Sequence, residues 1–325
     1  MVILHINNIL KGADRMNILR AVILIVTLII SGNIANAQNI ALYGNAAESC
    51  DNSGTGSGEG VLTVVSPNTG EMIPVGPTGF DGISALAFLG DGRIVASGRQ
   101  GPDTSILIEI NPVSGQGTLI GVIGDANNPG ECGRVAGLTF DSATDTLYGL
   151  GLKCGAGLDR VLFTINPDTA EPTVVGEVGF FGGGNAIAIR QDGTLFAIAW
   201  SGTDLSLYTL NRITGLGTLV GVMDTSGITP NGLGVNGLDF HPITQELFGS
   251  STDGGDDTTS YLVSINEDIP SLSVIGQTLD CFDGIVFGPA QARSVPTLSE
   301  WGLIAMAGVL GIIGLLAIRR RKATA

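Results

Sequence analysis

The stretch at positions 137–176, GLTFDSATDTLYGLGLKCGAGLDRVLFTINPDTAEPTVVG, contains four short apolar segments separated by turn residues. The segments are GLTF, LYG, LFTI and TVVG, and Gly, Asn, Pro and Asp are frequent between them. Short apolar runs bounded by these residues are typical of β-strands. The stretch therefore predicts a unit of four strands, which we call a, b, c and d in chain order.

The a segment recurs along the chain, and its second residue is spaced by 52, 49, 51 and 47 positions. Segments b, c and d follow each of the first four copies. Four short strands in a repeat of about 50 residues predict a β-propeller blade. A β-sandwich with chance similarity between its strands is the alternative. The five a segments are Ala85-Leu86-Ala87-Phe88, Gly137-Leu138-Thr139-Phe140, Ala186-Ile187-Ala188-Ile189, Gly237-Leu238-Asp239-Phe240 and Gly284-Ile285-Val286-Phe287.

The two ends of the repeat complement each other. No b, c or d segment follows Gly284–Phe287, whereas the region after residue 38 has Ala41–Gly44, Val61–Val65 and Ile73–Gly76 without an a segment. Joining them completes a fifth blade and leaves no free sheet edge at the seam. We therefore predict an all-β, five-bladed β-propeller over residues 38–290, closed by N- and C-terminal strands.

The composition agrees with such a fold and restricts the partners. Glycine accounts for 50 of 325 residues without a Gly-X-Y period, which argues against collagen, coiled coils and helical bundles. The whole chain has a net charge of −15, and without its basic ends the propeller has about −20. Such a charge disfavours nucleic acid as a partner.

The N-terminal region has the layout of a secretory signal peptide. Lys11, Arg15 and Arg20 precede the apolar run Ala21–Ile30, and Ala35-Asn36-Ala37 provides a small-residue cleavage site. A membrane anchor is the alternative, but ten apolar residues are too few to span a bilayer. Residues 1–37 are thus predicted to be removed by signal peptidase. Translation starts at Met1 or at Met16 in this interpretation.

The C-terminal region predicts a membrane anchor. The apolar run Trp301–Ile318 precedes Arg319, Arg320, Arg321 and Lys322, and we assign the transmembrane helix to residues 303–318. The basic tail, residues 319–325, would stay in the cytoplasm and the propeller would lie outside the inner membrane. A buried core helix is the alternative, but the run has no polar face.

The linker at residues 291–302 contains the segment VPTLSEWG, positions 295–302. This segment, the apolar helix and the basic end resemble the IPTL-CTERM sorting signal of Gram-negative bacteria. The resemblance implies recognition by an exosortase-type membrane protease, removal of the tail and delivery to the cell surface or extracellular matrix. The residues that match the pattern are Pro296, Thr297, Leu298, Trp301 and Gly302, and Val295 replaces its first isoleucine.

The repeat itself is similar to propeller-like domains of bacterial secreted proteins. Asn166-Pro167-Asp168-Thr169 and Asn211-Arg212-Ile213-Thr214-Gly215 match their Asn-Pro-x-Thr-Gly pattern in part. The resemblance supports the fold and indicates no active site.

Four cysteines in an exported chain predict two disulfides. Cys132 precedes strand a and Cys154 follows strand b of one blade, and Cys281 and Cys50 hold the same places in the closing blade. We therefore predict the pairs Cys132–Cys154 and Cys50–Cys281. Free or metal-binding thiols are the alternative, but the chain has no C-x-x-C spacing.

The b–c and d–a loops of a propeller share one face, which commonly carries binding residues. Phe180 and Phe181 on this face are candidates for stacking against a sugar or a partner, and packing over the central channel of the ring is the alternative. Asp253, Asp256 and Asp257 are candidate ligands for Ca²⁺, although a solvated acidic turn explains them as well.

Catalytic residues are scarce, because His241 is the one histidine after the signal peptide and occupies a turn position. The sequence predicts no catalytic residue and no certain cofactor. We expect a non-enzymatic binding or structural module of the cell surface or matrix, with a polysaccharide or protein ligand. The alternative is a Ca²⁺-dependent propeller hydrolase, or a lactonase- or lyase-like enzyme.

Overall fold

The computed structural model of this chain describes residues 40–47, 59–101, 104–125, 135–152, 160–180, 186–201, 204–225, 234–252, 259–279 and 281–290. The chain divides into two units, Met1–Ala290 and Gln291–Ala325, and every described residue belongs to the first. The predicted signal peptide, sorting motif, transmembrane helix and basic tail lie outside the described residues. Among those that are described, no helix has the length and apolar character needed to cross a bilayer.

The described part is an all-β ring of twenty strands in five four-stranded antiparallel sheets. Blade 1 consists of β4 (Ala85–Phe88), β5 (Ile94–Arg99), β6 (Thr104–Ile110) and β7 (Gly117–Asp125). Blade 2 consists of β8 (Val135–Asp141), β9 (Thr146–Leu152), β10 (Arg160–Ile165) and β11 (Pro172–Glu177). Blade 3 consists of β12 (Ala186–Ile189), β13 (Leu195–Ser201), β14 (Asp204–Leu210) and β15 (Gly217–Val222).

Blade 4 consists of β16 (Gly234–Phe240), β17 (Leu247–Thr252), β18 (Ser260–Asn266) and β19 (Ser271–Gln277). Blade 5 consists of β20 (Ile285–Pro289), β1 (Ile40–Ala47), β2 (Glu59–Val65) and β3 (Met72–Asp81), in that order across the sheet. The five-bladed propeller predicted from the repeat is therefore confirmed, with its strands in the predicted a to d order.

The seam of the ring lies within blade 5, between the last strand and the first. Strand β1 pairs with β20 over five residues, from Ile40 opposite Pro289 to Gly44 opposite Ile285. The Tyr43 hydroxyl also donates to the carbonyl oxygen of Pro289 at 3.1 Å. These contacts leave no unpaired edge between the chain ends, as the sequence predicted.

The c–d turns are stabilised by asparagine side chains. Asn111 Oδ1 accepts hydrogen bonds from the amides of Val113 and Ser114, at 2.9 and 3.1 Å. Asn166, Asn211 and Asn266 make the same pair of bonds in the next three blades. An Asx turn of this kind explains why asparagine recurs directly after strand c.

A second repeated contact joins each blade to the next. A glycine within strand d lies against the c–d turn of the following blade, so that a Cβ at Gly176 would overlap the Thr214 carbonyl. The last such contact places Gly276 of blade 4 against Thr69 of blade 5 and completes the ring. The five glycines are Gly76, Gly121, Gly176, Gly221 and Gly276.

The core lies between blades rather than within them. Each of five clusters of buried apolar side chains combines residues from two neighbouring blades. One example joins Phe163 of blade 2 to Leu107 of blade 1. Because both faces of strands a to c are covered in this way, most of their residues are apolar instead of alternating with polar ones, whereas strand d is largely exposed.

Candidate ligand-binding cavity

Apolar side chains close the central channel. The second residue of every a segment lies at a constriction that leaves a void of only ≈ 10 Å³. All five side chains at this constriction are at most 3% exposed. They are Leu86, Leu138, Ile187, Leu238 and Ile285.

A cavity of ≈ 940 Å³ opens beside this constriction and shares Leu86 and Leu138 with it. It lies on the face that carries the a–b turns, which we call the turn face; the b–c and d–a connections form the opposite loop face. The fourth residue of every a segment borders the cavity. These residues are Phe88, Phe140, Ile189, Phe240 and Phe287.

Two of the four phenylalanines are fixed by other aromatic rings. Phe287 makes edge contacts with His241 and Phe248, with centroids 4.9 and 5.2 Å apart. Phe240 lies against Phe196 at 5.6 Å. The aromatic wall is therefore held by packing.

Asp239, the third residue of its a segment, also borders the cavity. Its Oδ1 accepts from the Phe240 amide at 3.0 Å, and its Oδ2 accepts from the Phe287 amide at 2.6 Å. The residue as a whole is half-buried, but its carboxyl group lies among protein atoms. This burial raises the pKa of Asp239 to about 7, although the hydrogen bonds from Phe287 and Phe240 act in the opposite direction.

The other charged groups at the cavity are paired. Asp141 Oδ2 accepts from Arg212 Nη1 at 2.5 Å and from the Thr144 hydroxyl at 2.7 Å. Burial by itself would raise the pKa of Asp141, but hydrogen bonds from Thr144 and Ala143 and the charge of Arg212 hold it below the usual value.

Arg190 pairs with Asp192 at 2.7 Å and with Glu267 at 3.4 Å. The hydrogen bond that Arg190 donates to Asp192 raises the pKa of Arg190 although burial opposes it, so this side chain stays charged. No ion pair found among the described residues includes Asp239. Asp239 is thus a charge at the cavity wall without a described counter-ion.

His241 stabilises its own turn. Its Nδ1 accepts from the amides of Ile243 and Thr244, at 3.3 and 3.1 Å. Asp141 occupies the equivalent place in blade 2 and accepts from the Ala143 amide at 2.9 Å. The side chain therefore has the turn position that the sequence predicts.

Most residues of the predicted loop-face site lie outside the described part of the chain, namely Phe181 and the proposed Ca²⁺ ligands Asp253, Asp256 and Asp257. The residues of the sorting motif, a separate prediction, also lie outside it. Phe180 is described and is only 7% exposed, since its ring stacks on Tyr208 with centroids 4.3 Å apart. Its ring belongs to the core between blades 2 and 3 and is covered from solvent, which leaves little of it for stacking on a ligand.

One of the four cysteines is described. Cys281 is disulfide-bonded, and Cys50, Cys132 and Cys154 lie outside the described residues. The predicted pairs Cys50–Cys281 and Cys132–Cys154 therefore stay predictions.

The described side chains do not assemble a metal site. No group of three or more His, Cys, Asp and Glu residues suited to a metal ion occurs in this part of the chain. Asp239 alone supplies too few oxygens for Ca²⁺, which takes six to eight.

The sequence pattern assigned Asp239 no role in a site, because the segment GLDF at positions 237–240 was used only to define strand a. A signal was present, since Asp239 is the one charged residue in the five a segments. Its place beside four phenylalanines follows only from closure of the ring.

Comparisons with known proteins identify the C-terminal segment. The family model described as the IPTL-CTERM motif matches residues 293–321, which confirms the resemblance seen in the sequence. A comparison with curated proteins gives no match.

Similar solved structures include the nidogen/laminin complex, with 13% identity and a TM-score of 0.49 over 78% of this chain and 100% of the other. The periplasmic gluconolactonase of Pseudomonas aeruginosa has 12% identity and a TM-score of 0.43, with coverage of 74% and 83%. The aldose sugar dehydrogenase of Streptomyces coelicolor has 22% identity and a TM-score of 0.38, with coverage of 58% and 61%. None of these similarities bears on the activity of this chain.

Proposed function

We propose that this protein is an exported propeller that acts as a binding or structural module at the cell surface or in the extracellular matrix. The observation that carries the proposal is the IPTL-CTERM motif at residues 293–321, directly after a closed five-bladed ring that ends at residue 290. Because the sorting signal follows the propeller in the chain, the propeller is the domain that it would deliver to the surface.

The order of processing follows from the sequence. Signal peptidase removes residues 1–37, and the helix at 303–318 holds the chain in the inner membrane with the propeller outside. An exosortase-type protease then recognises VPTLSEWG at 295–302 and releases the propeller from its tail.

Features of the described ring fit a module without catalytic machinery. The channel interior is filled by leucine and isoleucine side chains. The one described histidine is engaged in its own turn. A binding function needs only a rigid scaffold that presents a cavity or a set of loops.

Export and sorting are tested by fractionation of the source cells and by mass spectrometry of both ends of the protein. We expect a surface or extracellular form that begins near Gln38 and lacks the basic C-terminus. A double variant, Pro296→Ala with Trp301→Ala, should stay in the membrane fraction with its tail intact. Ser299→Ala changes a position where the motif accepts any residue and is the matched control.

Two results would contradict the proposal. One is a surface form of the wild-type protein that still carries Arg319–Lys322. The other is processing of the double variant to the same extent as Ser299→Ala.

A further inference from the structure

We propose that the turn-face cavity binds a small organic cation, such as a quaternary ammonium group, between the Asp239 carboxylate and the half-buried rings of Phe88 and Phe140. The proposal deepens the binding function given above and names a ligand class for it. It depends on four features of the cavity: its size, its aromatic wall, its uncompensated charge and its lack of a metal-binding set.

The size and wall suit a small molecule. The volume of ≈ 940 Å³ is within the range of ligand sites in proteins. Phe88 and Phe140 border it with half-buried rings, whereas Phe240 and Phe287 are only 5% and 6% exposed and offer little ring surface to a ligand. Aromatic rings attract cations through the negative potential of their faces, and quaternary ammonium ions are bound by groups of such rings.

The charge at the cavity also favours a cation. Asp141 and Arg190 have partners within the protein, whereas Asp239 receives only two backbone hydrogen bonds. A carboxylate enclosed without a counter-ion is costly, and a bound cation would offset that cost. An anionic ligand would add to the cost instead.

The choice of an organic cation over a metal ion follows from the lining. A metal ion needs several oxygen, nitrogen or sulfur ligands, and the described residues provide no such group. A trimethylammonium group needs apolar or aromatic contact on its methyl groups and one negative charge nearby. Phe88, Phe140 and Asp239 provide both.

The experiment is isothermal titration calorimetry of the full-length chain in a maltoside detergent, which carries no ammonium group. The probe is choline, and the control ligand is its neutral carbon analogue, in which a tert-butyl group replaces trimethylammonium. Near pH 8, where Asp239 is charged, we expect choline to bind at least about tenfold more tightly than the analogue.

The matched variants come from the chain itself. Asp239→Thr places at this position the residue that blade 2 has at Thr139, where Oγ1 accepts the equivalent hydrogen bond from the Ile189 amide at 3.2 Å. The variant therefore keeps a bond to blade 5 while it removes the charge. Asp268→Asn removes one charge from an exposed c–d turn away from the cavity and is the control for net charge.

We expect Asp239→Thr to abolish the preference for choline over its analogue and Asp268→Asn to retain it. Phe140→Leu, at a half-buried ring of the wall, should weaken choline binding severalfold and provides a second test if Asp239→Thr does not fold. Equal affinity for choline and the analogue would overturn the proposal, as would unchanged choline binding by both cavity variants.

A pH series adds a readout that a purely structural role of Asp239 would not move. Choline affinity should fall between about pH 8 and pH 5.5, because Asp239 gains a proton there. The other charged or titratable groups around β16 are Asp141 at the end of β8, Arg190 after β12, Asp283 before β20 and His241 after β16 itself, while β4, β13, β17 and β20 carry none. In Asp239→Thr, any change of choline affinity with pH comes from these other groups alone.

A failure of choline to bind would leave the export proposal intact, because export is tested separately by the processing of the protein in cells.

Discussion

The Asp239 carboxylate of blade 4 accepts a hydrogen bond from the Phe287 amide of blade 5, with 2.6 Å between Oδ2 and N. Thr139 Oγ1 of blade 2 accepts the equivalent bond from the Ile189 amide of blade 3 at 3.2 Å. The same position of strand a thus links two pairs of blades, once with a neutral hydroxyl group and once with a carboxylate. The difference between them leads to a prediction about pH.

We expect the wild-type protein to lose stability relative to Asp239→Thr as the pH rises from about 4 to above 7. The pKa of Asp239 is about 7 in the folded protein and 3.8 ordinarily, so in this window the folded state holds a proton that the unfolded chain has released. The loss has an upper limit of about 4 kcal/mol at 1.36 kcal/mol per pH unit.

Urea unfolding at pH 4.5, 6 and 8 measures this difference. The carboxyl groups of Asp91, Asp141 and Asp192 have lowered pKa values, so they change the free energy of unfolding only below this pH range, and they do so equally in both proteins. A free-energy difference between the two proteins that stays constant from pH 4.5 to 8 would show that Asp239 has an ordinary pKa.

The glycine contacts between blades predict a second effect. Gly176→Ala should lower the free energy of unfolding by about 1–3 kcal/mol, because the new methyl group would overlap the Thr214 carbonyl of the next blade. Gly234→Ala is the control, since a Cβ there comes no closer than 3.6 Å to any neighbour. Chemical denaturation of both variants makes the comparison, and equal stability would mean that the blades do not need this close contact.

The turn role of His241 can be separated from any role of the imidazole ring in chemistry. His241→Ala should cost about 1 kcal/mol, because the amides of Ile243 and Thr244 lose their acceptor. His241→Asn should recover most of this loss, as asparagine makes the same two bonds in the c–d turns. Thermal and urea unfolding test the order, and an alanine variant as stable as the asparagine variant would contradict it.

The disulfide pairs are the fourth prediction. Peptide mapping without reduction should recover Cys50 with Cys281 and Cys132 with Cys154, since each pair holds the same places in its blade. Cys281→Ser should lower stability by about 4 kcal/mol or more, as its bond would close most of the ring as one loop. Cys154→Ser, which opens a much shorter loop, should cost less. Recovery of Cys50 with Cys132 or Cys154 would contradict the pairing.

The blade count and the strand order could be predicted from the sequence because they depend on local patterns. Short apolar runs and turn residues recur at a near-constant spacing, and each unit forms its own sheet. The strand bounds were less accurate. The segment expected at Ile73–Gly76 is part of β3, which spans Met72–Asp81. Its extension comes from pairing with β2 around two irregularities in register.

The surroundings of single side chains could not be predicted in the same way. Phe180 reads as an aromatic residue on a glycine-rich loop, yet it is buried because Tyr208 of the next blade lies against it. Asp239 reads as one polar residue in a strand, yet it becomes enclosed when blades 4 and 5 meet. Both outcomes depend on residues distant in the chain.

The sequence by itself determined the repeat, the ring closure and the sorting motif, since each is a pattern of residue types along the chain. The turn positions could be predicted as well, because Asn accepts hydrogen bonds from the turn amides and Gly adopts the backbone angles that turns require. Only the tertiary structure decided where the cavity lies and which charge at its wall lacks a counter-ion. Those properties depend on side chains that five separate blades bring together around one axis, and the distances among such side chains are set by packing between blades.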